Sequence, residues 1–220
     1  MIRRFAAFAA AVPALALALV APASAQQPRP ALDIALPDST VLTVTGPVVR
    51  ATDMLAGSRM RDPLAAGFPA RFHFVVELWS QGGWFNNLER RADYDVLVRF
   101  IPIEKVYEVV QIVNDRPFSL GKFQQVDDAE RAIARPTRAP ITAPQTKKKL
   151  YYQVNLTVAV LDVSDLDEVD RWLKGELGPA INGQRNPGTA VSRGMKDMVA
   201  RLLGGEKREY EKRTRTFRVP

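Results

Sequence analysis

Period-two alternation dominates the middle of the chain. In Arg71–Trp79, Phe72, Phe74, Val76 and Leu78 share one phase, and Arg71, His73, Glu77 and Trp79 share the other. In Arg91–Phe100, Ala92, Tyr94, Val96, Val98 and Phe100 oppose Arg91, Asp93, Asp95 and Arg99. In Glu104–Val113, Val106, Val110 and Ile112 lie in phase with Glu108. Such alternation predicts strands with one buried and one wetter face. The short breaks Gln81-Gly82-Gly83 and Ile101-Pro102 predict antiparallel neighbours. Leu150–Val163 reads as a further long strand, with Tyr152, Val154, Leu156, Val158 and Val160 on its apolar face. Weaker strand signals cover Leu32–Leu36 and Thr40–Val49, around a Pro37-Asp38-Ser39 turn, and Phe118–Phe123.

Helical spacing is confined to short pieces. Thr52-Asp53-Met54-Leu55 is expected to open one, capped by Thr52 and kept short by Gly57, Pro63 and Gly67. Val126–Ala134 predicts a second, with Asp127 and Asp128 at its start and Pro136 beyond its end. Leu166–Leu177 and Ala190–Leu203 complete the set, separated by a loop at Asn182–Gly188. Arg135–Lys149 carries Pro136, Pro140 and Pro144 followed by Lys147-Lys148-Lys149, and is expected to be a mobile linker. The pattern predicts a mainly β protein, an antiparallel β-sandwich of about seven or eight strands with three or four flanking helices.

The N-terminus changes the picture most. Arg3 and Arg4 precede an apolar run, Phe5 to Val20, which ends at Ala23-Ser24-Ala25. Basic, apolar and small-residue regions in that order predict a secretory signal peptide at 1–25, with a mature chain starting at Gln26. The alternative is an uncleaved anchor, since about 18–20 apolar residues span a bilayer; Pro13 interrupts the run. The expected organisation is a signal peptide at 1–25, an extended leader at 26–31, and a single β-rich domain at 32–205. The basic segment 206–220 follows as a tail or edge strand, with an edge strand expected near Tyr210–Val219. The address this implies is the periplasm or cell envelope of a bacterium.

Composition narrows the chemistry. Of 220 residues, 46% are hydrophobic and 25% charged, ordinary for a folded domain. There is no cysteine, which excludes disulfides, thiol catalysis, thiolate metal sites and lipidation at a cysteine after the leader. The net charge of +7 falls to +5 once Arg3 and Arg4 leave with the signal peptide. That excess favours anionic partners such as lipid headgroups, polysaccharide or nucleic acid, and export makes nucleic acid the least suitable of the three.

No catalytic or metal constellation is expected, and no cofactor. His73 is the only histidine and lies between Phe72 and Phe74; a role in a triad or metal site needs partners that the sequence does not single out. Ser119-Leu120-Gly121-Lys122 has S-x-x-K spacing, but the companion S-D-N and K-T-G elements are absent and Gly121 weakens the required helix. Asp93 and Asp95 share a strand face and could hold a divalent ion or work as acid and base. Arg91 and Arg99 on that face make ion pairing the simpler expectation. Asp162, Asp165, Asp167, Glu168 and Asp170 lack the glycine and terminal glutamate of a calcium loop, and acidic groups suit a helix start. Asn155-Leu156-Thr157 is a glycosylation sequon in mid-strand.

The binding candidates are Trp79, Trp84 and Phe85 around the Gln81-Gly82-Gly83 turn, with Lys147, Lys148 and Lys149 in the basic stretch. Aromatics at a loop tip suit a sugar, a lipid or a protein, or else fold back over the end of the sheet.

The middle of the chain resembles the domain-of-unknown-function 4390 family of exported bacterial proteins. The likeness runs from Leu64-Ala65-Ala66-Gly67-Phe68-Pro69-Ala70-Arg71-Phe72 through Glu77-Leu78-Trp79 and Arg91–Phe100. It continues through Phe118–Ala134 to Tyr151–Leu166, where a strand leads into Leu-Asp-x-x-x-Leu. The resemblance implies a shared fold and brings no catalytic residues. Where that family tends to close with a tryptophan-rich segment, this chain has Ala190–Leu203 and a basic tail. The expected function is a non-enzymatic exported accessory or interaction module. Its partner would be an envelope protein or an anionic envelope component. The alternatives are an anionic lipid or glycan binder with a sandwich pocket, and a metal-assisted hydrolase built on Asp93, Asp95 and His73.

Overall fold

The computed structural model describes residues 29–161 and 207–220. The expected signal peptide, the helices at 166–177 and 190–203, their loop and the acidic cluster that begins at Asp162 lie outside the described residues. The protein is mainly β, with two antiparallel sheets and, among the described residues, nine strands and two α-helices.

The strong alternating segments build a six-stranded sheet. Its strands β3 (Ala70–Ser80), β4 (Asn87–Ile101), β5 (Val106–Val113) and β6 (Arg116–Phe123) form a meander. On the other side of β3 come β8 (Leu150–Val160) and then β9 (Lys207–Arg213) at the edge. The order is β6-β5-β4-β3-β8-β9. Charged β9 and proline-bearing β6 occupy the two edges, where lysine and proline discourage further pairing. The edge strand expected near Tyr210–Val219 is found at Lys207–Arg213, so it ends six residues earlier than expected, and Phe217 makes only an isolated bridge to Leu150.

A smaller sheet, ordered β1-β2-β7, comprises β1 (Ala31–Ala35), β2 (Val48–Thr52) and β7 (Thr137–Arg138). One core joins the sheets: Leu32, Val49 and Ala51 are buried in a single cluster with Phe72, Phe74, Val76, Leu78, Val96, Val98 and Leu156. Helices α1 (Ser58–Ala65) and α2 (Val126–Ile133) close it with Met60, Leu64, Ala129, Ala132 and Ile133. Tyr94 stacks on Phe74 at 4.6 Å between ring centroids. Burial raises the Tyr94 phenol well above its ordinary value.

Two local expectations are corrected. Thr40–Val49 is not one strand. The Asp38 carboxylate accepts from Thr40 N at 3.0 Å and holds Ser39–Val41 in a single 3-10 turn, so the strand starts only at Val48. Helix α1 does not begin at Thr52, which ends β2. The Met54 and Leu55 amides that a Thr52 cap would engage donate instead to Glu130 of α2, at 3.1 and 2.6 Å. Burial pushes the Glu130 carboxyl up, against the pull of those two amide hydrogen bonds.

Apart from β7, residues 135–149 run an irregular course, as their prolines dictate, yet Ala139, Ile141 and Ala143 are buried in the core. Ala139 N donates to Pro47 O at 2.9 Å and Ala143 N to Leu42 O at 2.7 Å. This path passes directly over Gly46. A Cβ there would lie 2.1 Å from the Ala139 carbonyl oxygen and 2.5 Å from that of Ile141.

Candidate functional site

The strongest candidate is the end of the six-stranded sheet where β3 turns into β4. The turn spans 81–86, and Gly82 makes it possible: a Cβ there would lie 2.0 Å from the Phe85 carbonyl oxygen. The turn thrusts Trp84 and Phe85 into solvent, 95% and 83% exposed, so they do not fold back over the sheet. Asn86 Nδ2 anchors the turn by donating to the Tyr151 hydroxyl at 3.2 Å. Register places Trp79 opposite both Leu88 and Tyr151, which puts these three on one face just behind the tip. Leu88 is exposed as well.

The structure brings the lysine triplet to the same end. Gln81 N donates to Lys149 O at 2.8 Å, which sets Lys147, Lys148 and Lys149 level with the tip. All three are exposed. Lys148 Nζ reaches Glu89 at 2.7 Å, and the hydrogen bond from Lys148 is the main cause of a lowered Glu89 pKa. Residues 214–220 arrive here too: Leu150 bridges Phe217, and Gln145 Nε2 donates to Pro220 O at 3.2 Å. That bridge puts exposed Arg218 next to Lys149 and exposed Arg215 further in, next to Tyr152, a contribution invisible in a linear reading. Trp79 differs from Trp84 and Phe85 in its exposure. It is half-buried, and its Nε1 donates to Glu77 Oε2 at 3.1 Å while Arg91 engages the other Glu77 oxygen at 3.3 Å.

The second cluster is buried in mid-sheet. Register sets His73 opposite Asp95, with Arg71 one diagonal step away. Arg71 Nε donates to Asp95 Oδ1 at 2.7 Å, and His73 Nδ1 lies 3.0 Å from the same oxygen. Arg71 is 3% exposed and Asp95 1%, while His73 is half-buried. The face expected to be the wetter one is buried at this point. Leu97, Val110 and Ile112 are buried on it as well. A carboxylate in that setting is tolerable because a guanidinium neutralises it. Burial alone would raise the Asp95 pKa; the His73 hydrogen bond and the Arg71 charge outweigh it and hold the carboxyl below its ordinary range.

The pairing expected along β4 is corrected as well. Arg99 bonds Glu108 at 2.7 Å and Arg91 bonds Glu77, across strands in both cases. Asp93 is exposed and does not join Asp95 at a common site. A guanidinium already beside Asp95 disfavours a second cation there. Among the described residues no group of three or more His, Asp or Glu side chains is placed to hold a metal ion. Ser119 and Lys122 lie on strand β6, not one turn apart on a helix, and Lys122 Nζ is engaged by Glu104 at 2.7 Å. Asn155 is half-buried between β3 and β9 and accepts from Gln153 at 3.3 Å.

Among the described residues no helix is long and apolar enough to cross a membrane. Compared with known proteins, the chain matches no family model, no curated protein and no solved structure.

Proposed function

We propose that this chain is a non-enzymatic, exported protein of a bacterial envelope that works by docking through the β3–β4 end of its large sheet. The observation that carries the reading is the pair Trp84 and Phe85, held out on a pinned turn beside Lys147, Lys148 and Lys149. Large aromatics exposed together at one place mark interaction sites, because water gains by their removal. The leader-like N-terminus supports export to the periplasm or cell envelope. The likeness to the domain-of-unknown-function 4390 family belongs to the same proposal, as does the view of the two sheets as layers of an antiparallel sandwich. The buried Arg71–Asp95 pair serves the fold in this reading and acts on no substrate.

The test is capture from native envelope extract. Protein carrying Trp84→Ala should retain its fold, since the side chain touches solvent almost entirely, and should lose the envelope material that the unaltered protein retains. An unchanged set of captured components would end the proposal for this surface.

A further inference from the structure

We infer that the partner of this end is the surface of an anionic lipid bilayer. The inference rests on the docking reading and names its ligand.

Charge comes first. Residues 81–91, 145–151 and 214–220 converge on this end and hold seven Arg and Lys, namely Arg90, Arg91, Lys147, Lys148, Lys149, Arg215 and Arg218. The one acidic side chain in these segments, Glu89, pairs with Lys148, and Arg91 pairs with Glu77 of β3, which leaves Arg90, Lys147, Lys149, Arg215 and Arg218 outside those two ion pairs. An anionic headgroup layer is the complement of such a surface, and it attracts basic residues within a Debye length.

Shape comes second. A stable protein partner needs about 800 Å² on each side, centred on side chains that fill pockets. Here the aromatics protrude from a two-strand tip, with Leu88 exposed behind them. Tryptophan and its neighbours in such a position suit the interface between headgroups and acyl chains, where the apolar ring is buried and the indole N–H stays hydrated. The lysines lie level with the tip through the Gln81–Lys149 hydrogen bond, so ring insertion and headgroup contact can occur together. One apolar anchor alone gives weak, reversible attachment; an anchor plus a basic patch gives two signals.

The opposite end supplies a control within the same molecule. Ile103, in the β4–β5 turn, is 95% exposed, but its neighbour Glu104 engages Lys122 and the turn lacks a basic cluster.

The experiment uses protein purified in the form that the cell accumulates. Its partitioning is measured onto vesicles of phosphatidylcholine alone and of phosphatidylcholine mixed with phosphatidylglycerol. Binding should require phosphatidylglycerol and fall as salt rises. Lys147→Glu and Lys149→Glu should each weaken it by about fivefold or more, the scale of one basic charge at such a surface. Trp84→Ala with Phe85→Ala should abolish it, and Ile103→Ala should leave it unchanged. A tryptophan emission blue shift on binding should vanish in Trp84→Ala. Equal binding to both vesicle types, or equal losses from Ile103→Ala and Trp84→Ala, would overturn the inference. If envelope capture depends on Trp84 while neither vesicle binds, the lipid assignment falls, the docking surface stands, and the partner is a protein. If neither capture nor vesicle binding depends on Trp84, both fall.

Discussion

Replacing Asp95 by Asn should cost about 3–5 kcal/mol, the scale of breaking a buried ion pair from one side. The shape of the side chain is kept, and its charge is lost beside a guanidinium that is 3% exposed. For a domain of this size the melting temperature should fall by roughly 10 °C. Joint replacement, Arg71→Met with Asp95→Leu, should recover most of the loss, because the paired charges offset each other's desolvation and well-packed apolar side chains can substitute for them. The pH dependence has a definite sign. The folded-state pKa of Asp95 is depressed. Its contribution is therefore complete above the ordinary carboxylate range, about pH 4, and is lost as pH falls through the lower folded-state value. The double variant should show a flatter stability profile in that acid window. Denaturant melts of the three proteins at several pH values would measure this. An Asp95→Asn protein as stable as the original would mean that the pair adds nothing to the fold.

Gly46→Ala should destabilise by about 3 kcal/mol, the upper end for overpacking a site that cannot relax. The added methyl meets the Ala139 and Ile141 carbonyl oxygens, which are backbone atoms and cannot swing aside as a flexible side chain would. The segment 139–143 should lift. The Ala139 to Pro47 and Ala143 to Leu42 hydrogen bonds would then lengthen, and Ala139, Ile141 and Ala143 would lose burial. Amide exchange at Ala139 and Ala143 should speed up well before exchange in β3 does. Unchanged stability and unchanged protection at those two amides would contradict the packing of this segment.

The long strands were legible in the sequence because their signal is local. Phe72, Phe74, Val76 and Leu78 alternate without interruption, and all four are buried. The hairpin turn was legible for a related reason, since Gly82 and Gly83 mark it, but the sequence left open whether Trp84 and Phe85 on that turn point outward or fold back over the sheet. What escaped depends on residues far away in sequence. The start of α1 is decided by Glu130, 76 positions from Met54. The partner of Asp95 is decided by strand register, which brings Arg71 and His73 to it in place of Arg91 and Arg99. The lysine triplet could be read as basic, but its position level with the tip needs the β3–β8 pairing. Nothing local placed Arg218 beside Lys149; a single bridge between Leu150 and Phe217 does so.

The most direct measurement of the central claim is photocrosslinking in living cells from a reactive side chain placed at position 84, compared with the same group at position 103. Position 84 should label envelope components and lose them when Lys147 and Lys149 are changed to Glu, while position 103 should give none of those products. Identical products from both positions, or products drawn only from cytosolic proteins, would contradict the account.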